Sequence, residues 1–195
     1  EKMNKSIFIV LLVLVAGIYA TQETEQDSLE YILDDLTFDK NDALDLLKGL
    51  AHGVAPSCYD SLKSCINSVS AENIEIIKNA LKQIDWKHPV RSVEAFETIG
   101  KVFIQAFKNC KTLTEEAANL VEKLTDAISM GTFIRLAKQI IVHPADFVKR
   151  ILRITKDIKG HNYRAAGEEI GDFIGIVLKT KSPVPMLESF LKEHA

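Results

Sequence analysis

After residue 20, no stretch of this 195-residue chain is long and apolar enough to cross a bilayer. The mature protein is therefore expected to be soluble. Chemical motifs are equally scarce. There is no His-Glu-x-x-His, no Gly-x-Ser-x-Gly and no glycine-rich phosphate loop. Zinc-protease, serine-hydrolase and nucleotide-triphosphatase readings therefore have nothing to stand on. His52, His88, His143, His161 and His194 are scattered, and His88-Pro89 and His143-Pro144 read as punctuation where helices start. No Cys-x-x-Cys or His-x3-His pair offers zinc a site, so no metal and no cofactor is expected. Among the acids, Asp34, Asp35, Asp39, Asp42 and Asp45 cluster, but Ala43 and Leu44 fall where a calcium loop needs an oxygen ligand and a glycine. They read as acids favoured at a helix N-terminus. Period-two alternation is not sustained anywhere, which argues against a sheet. No N-linked sequon follows residue 20.

What is present begins with Met3 to Ala20, which has the layout of a secretory signal: Lys5, an apolar core from Ile7 to Val15, and small residues at Ala16, Gly17 and Ala20. Glu1 and Lys2 stand before the expected initiator. Cleavage is expected after Ala20, leaving one α-helical domain over residues 21–195. Its location is then secreted, either extracellular or in the lumen of the secretory pathway. That compartment is oxidising and favours a disulfide among the three cysteines, Cys58, Cys65 and Cys110. On one continuous helix the Cα atoms of Cys58 and Cys65 would lie about 10 Å apart, too far to bridge. If the helices around them run up, down and up, Cys65 and Cys110 meet. The expected pair is Cys65–Cys110, with Cys58 a free, buried thiol; Cys58–Cys65 across a broken helix is the rival.

Apolar residues at helical spacing predict a compact bundle of eight to ten short amphipathic helices. A short one carries Leu29, Ile32, Leu33 and Leu36. The next opens at Asp39 or Asn41 and stops near Gly53. Ser57 caps a third, Ser70 a fourth, and Pro89 begins a fifth through Phe107. Thr112 and Glu115 fit a capping box ahead of a sixth that ends at Gly131. Thr132 opens a seventh closing at His143, and an eighth from about Phe147 stops at Gly160. Pro183 and Pro185 precede a tail helix with Met186, Leu187, Phe190 and Leu191.

The ninth helix, Tyr163 to Lys179, organises the rest. Asn162 can cap it, and Ala166, Ile170, Phe173, Ile174 and Val177 form its apolar face. Gly167, Gly171 and Gly175 recur every fourth residue, a strip without side chains. Each costs about 1 kcal/mol relative to alanine in a helix, so a compensating close approach is expected. Either another helix of the same chain or a second copy can supply it. Ala95–Lys108 and Ala166–Lys179 also share Ala, Glu, Ile, Gly and Lys at matching positions, a faint internal echo.

Charge is uneven. Residues 21–80 carry 12 acids and 4 bases, whereas residues 81–195 carry 14 and 18. Lys149, Arg153 and Lys156 share one helical face, a candidate patch for an anionic partner or membrane surface. Nucleic acid is not expected, since no recognition motif occurs. The combined reading is a secreted, non-enzymatic structural or interaction protein that binds copies of itself or another secreted protein. The alternative is a carrier of lipid or another apolar ligand, with Phe96, Phe103, Phe107, Phe133, Phe147 and Phe173 available to line a cavity.

Overall fold

The computed structural model describes residues 36–179, apart from 68, 108–109, 130, 132, 135–136 and 138–143. The chain divides into two units, Glu1–Thr37 and Phe38–Ala195. All that follows concerns the second.

Among the described residues the fold is all-α, with no strand. Seven α-helices are delimited: α1 (Lys40–Val54), α2 (Tyr59–Cys65), α3 (Ala71–Leu81), α4 (Pro89–Phe107), α5 (Glu115–Ser129), α6 (Pro144–Lys159) and α7 (Tyr163–Lys179). A single 3-10 turn, Pro56–Cys58, leads into α2. Phe133, Ile134 and Ala137 are also helical. The described helices thus number fewer than the eight to ten expected. The expected signal segment, the short helix at 29–36 and the tail helix at 186–191 lie at or beyond the edge of the described residues.

The fold is built on one helix pair. α1 and α7 lie side by side with backbone against backbone. A Cβ on Gly167 would overlap the carbonyl oxygen of Leu46 and stand 2.9 Å from its carbon. A Cβ on Gly171 would overlap Leu50 O and stand 2.9 Å from Val54 N. The reverse holds as well. A Cβ on Gly49 would overlap Arg164 O and one on Gly53 Glu168 O. Two glycine ridges therefore face each other, and residue numbers rise together along both, so the helices run parallel. The compensating approach comes from within the chain, and the strip on α7 is filled rather than offered to a second copy. Gly53 does not stop its helix, as its sequence position suggested; α1 continues past it to Val54 because the ridge needs a helical glycine there.

Local chemistry sets the helix ends. Asp39 caps α1, accepting from the N–H groups of Asn41 (2.7 Å) and Asp42 (3.0 Å), while Asp42 Oδ2 accepts from Asp39 N–H (2.9 Å). Ser70 Oγ accepts from Asn73 N–H at 3.1 Å to cap α3. The capping box at Thr112 does not form. Thr114 caps α5 instead, accepting from Ala117 N–H, and its own N–H donates to Ser61 Oγ. Ser57 caps nothing; its hydroxyl donates to Glu116 Oε1 on α5. The end of α6 is a two-bond turn in which Asn162 N–H donates to Asp157 O and His161 N–H to Ile158 O. The left-handed residue there is His161, at φ 55°, one place beyond the glycine expected to stop the helix. Asn162 opens α7 with its main-chain carbonyl, which accepts from Ala166 N–H.

The core gathers around α4 and α7. Phe96, Phe147 and Phe173 pack ring on ring, with Phe173 centred 5.4 Å from each of the others. Tyr163 is 2 % exposed and meets the ring of Phe38 edge-on at 5.1 Å. The two helices of the internal echo are both central, yet their matched glycines differ. A Cβ on Gly100 would touch only side-chain tips, Ile128 Cδ1 at 3.4 Å and Ile174 Cδ1 at 3.8 Å.

That difference gives a paired expectation for denaturant unfolding. Gly171→Ala lowers the unfolding free energy by about 3 kcal/mol or more, because backbone cannot retreat as a side chain can. Gly100→Ala stays within about 1 kcal/mol of the parent, on the stabilising side, through helix propensity. A second expectation concerns alkali. Burial first, then the charges of Asp42 and Asp39, push the Tyr163 phenol up to about 12 from 10.0. The folded state thus holds a proton that the unfolded chain loses. This contribution is whole below pH 10 and disappears as pH rises toward 12, so Tyr163→Phe flattens the fall in melting temperature across that interval.

Candidate functional site

Two surface features emerge: a groove beside the disulfide and a charged seam between α6 and α7.

Cys65, the last residue of α2, is bonded to Cys110, just past α4, with Cα atoms 5.6 Å apart and 45 residues between them in sequence. A loop of that length removes roughly 4 kcal/mol of entropy from the unfolded chain. Beside this bridge lies the largest described concavity, about 650 Å³. The start of α3 contributes Ser70 and Asn73, and the end of α4 contributes Val102, Gln105 and Ala106. Ser64, Asn67, Lys111, Thr112 and the two bonded cysteines line the remainder, with Leu47 and Val69 apolar among them. Thr112, removed from capping, places its hydroxyl 3.4 Å from Cys110 Sγ and 3.3 Å from Ser64 Oγ. The lining holds one charged side chain, Lys111, and no carboxylate or histidine.

Cys58 is free and buried, its thiol donating weakly to Ala55 O at 3.8 Å. Burial, then the charge of Glu116, pushes its pKa up. It sits apart from the groove lining.

On α6 the buried positions are Phe147, Ile151, Ile154, Thr155 and Ile158. This turns Lys149, Arg153 and Lys156 outward, and all three are exposed. They are not equivalent. Arg153 Nη1 lies 3.3 Å from Glu169 Oε1 on α7, whereas Lys149 and Lys156 make no ion pair among the described residues. The residue that matters most was not singled out by spacing. Arg150, 19 % exposed, forks across the seam, donating to Glu169 Oε2 (2.9 Å), to Glu169 O (2.9 Å) and to Asp172 Oδ2 (2.8 Å). The basic face thus finds its acids on α7, not in the acidic first third of the chain. A signal existed: Arg150 stands three positions from Phe147 and one from Ile151, at the flank of the apolar stripe.

Gly49 and Gly53 were also missed, although they repeat the four-residue spacing of the strip on α7. On the wet side of that pair, Arg164 donates to Tyr59 Oη at 2.9 Å, and Glu168 lies 3.5 Å from His52 Nδ1. Among the described residues no group of His, Cys, Asp and Glu is placed to hold a metal ion. The phenylalanines offered as cavity lining are buried against one another, except Phe107, which also borders a shallow groove of about 380 Å³ between α4 and α5.

Arg150 and Arg153 provide a contrast testable by thermal melts. Arg150→Ala costs about 1–3 kcal/mol because two acids lose their shared donor, and Arg150→Lys recovers little, since an ammonium cannot fork. Arg153→Ala changes stability by about 0.5 kcal/mol or less, as for other exposed pairs.

Comparison with known proteins comes down to one family. No curated protein and no solved structure matches the chain. Among the described residues, no helix is long and apolar enough to cross a membrane. The SctB-like family, described as Secreted protein B-like, matches residues 20–179, which take in every helix delimited above. The chain belongs to the SctB-like, Secreted protein B-like family.

Proposed function

We propose that this is an exported interaction protein that binds a partner without transforming it. Membership of a family described by secretion supports the export half of that reading, and so does the start of the match at residue 20, where signal cleavage is expected. The groove carries the other half. Acid–base and nucleophilic catalysis need a positioned base, acid or activated nucleophile. The groove offers hydroxyls and carboxamides with no carboxylate or histidine beside them, and its sulfurs are joined to each other. Such a lining holds a ligand by hydrogen bonds and has little means to attack it.

Self-assembly is the favoured mode, now without the glycine strip, which α1 occupies. The surfaces left for it are the outward lysines of α6, Lys149 and Lys156, and the acids around α1, Asp39 and Asp45, which are exposed. Opposite charges at two ends of one chain suit head-to-tail contact, which closes into rings or runs on as filaments. The carrier reading retains one foothold, the α4–α5 groove with Ile104, Phe107, Leu113 and Val121. It is the weaker reading because the core phenylalanines are already spent on each other.

Light scattering of the purified 21–195 protein tests the first reading. Oligomers are expected at low salt, dissolving at about 1 M salt, where charges are screened beyond roughly 3 Å. Lys149→Glu with Lys156→Glu is expected to abolish them at low salt. A mass of one chain under every condition removes self-assembly. Native mass spectrometry of the same material decides the carrier reading, which requires a co-purified acyl chain.

A further inference from the structure

The groove beside Cys65–Cys110 carries a more specific assignment, one that rests on the interaction reading above. Most of its polar groups are already engaged. Asn67 Nδ2 donates to Ser64 O at 2.6 Å, Ser64 Oγ donates to Ser61 O at 2.7 Å, and Ser70 Oγ accepts from Asn73 N–H. Two side chains are not. The carboxamides of Asn73, at the start of α3, and Gln105, near the end of α4, have no hydrogen-bond partner among the described residues. α3 and α4 are consecutive packed helices joined by a short turn, so these two groups stand on the two helices that frame the groove.

A carboxamide presents one acceptor and a two-proton donor, the same complement as a peptide unit. A pair of them can therefore hold a main chain whatever side chains it carries. Between them Val102 and Ala106, with Leu47 and Val69, provide apolar surface for a side chain of the guest. The rest of the lining excludes the competitors. A sugar ring packs its C–H face on an aromatic ring, and no aromatic residue lines the groove. Nucleic acid demands several cations, and only Lys111 is present. A strongly basic peptide would find no carboxylate. The volume of about 650 Å³ lies within the usual range for ligand sites, roughly 300–1,000 Å³. The disulfide ties the α2 side of the groove to the end of α4, so the frame is fixed before any guest arrives.

We propose that this groove binds a short, extended, uncharged peptide segment of a partner protein, gripped through its main chain by Asn73 and Gln105. The test is an array of capped, uncharged hexapeptides built from Ala, Gly, Ser, Thr, Asn, Gln, Val and Leu, probed with disulfide-intact protein. The best binders are then titrated by fluorescence anisotropy. A subset is expected to bind, and Asn73→Ala and Gln105→Ala are each expected to weaken binding about tenfold with melting temperatures unchanged. Neutral oligosaccharides in the same format are expected not to bind. No bound peptide, binding indifferent to both substitutions, or a preference for the oligosaccharides overturns the proposal. If peptides fail while salt-sensitive oligomers persist, only the groove assignment falls; if both fail, the interaction reading falls with it.

Discussion

Everything in this fold defers to the contact between the backbones of α1 and α7. Side chains do not mediate it: peptide groups of Leu46, Leu50, Arg164 and Glu168 lie where a neighbour's Cβ would otherwise be. Such proximity maximises dispersion contact per residue, but it works only if both ridges stay bare. The propensity cost of four fully overlapped glycines, about 1 kcal/mol each, is thereby offset. The pair is also parallel and formed from the first and last delimited helices. The intervening helices must carry the chain away and bring it back, and α4 threads the core between.

Charge then works as trim. The acidic first third and the basic remainder invite the thought that one end of the molecule neutralises the other. The observed ion pairs are more local. Arg150 and Arg153 bind Glu169 and Asp172 on the adjacent helix, and Lys101 binds Glu97 one turn back. Long-range complementarity is thus left largely unspent inside the protein. Arg150 succeeds where Lys149 does not because it sits at the border of the apolar stripe, where a planar fork can reach two carboxylates while its stem stays dry.

The sequence made the helices legible wherever apolar residues recur with period 3.6, as in α4 and α7, and wherever a cap is unambiguous, as at Asp39 and Ser70. It misled where two residues could perform the same local task. Thr112 and Thr114 both suit a cap, and the tertiary contact of Ser61 with Thr114 N–H decides between them. Gly160 and His161 both suit the end of α6, and hydrogen-bond register decides for His161. Gly53 resembles a stop signal because a glycine that ends a helix and one that lets another helix approach are the same residue. Only the partner strip resolves that ambiguity, and the partner is far away in sequence. The disulfide groove was illegible for the same reason: it is assembled from α2, α3, α4 and a loop, no one of which shows a motif.

The parallel seam has a consequence for biosynthesis. A chain made and exported from its N-terminus displays the α1 ridge well before Tyr163 to Lys179 exists to cover it. The Cys65–Cys110 crosslink needs only residues up to 110 and can close in that interval. Maturation therefore has a built-in order, in which a covalently stapled but open intermediate waits with naked peptide groups for its final helix, and a nascent chain released short of that helix has nothing to shield them.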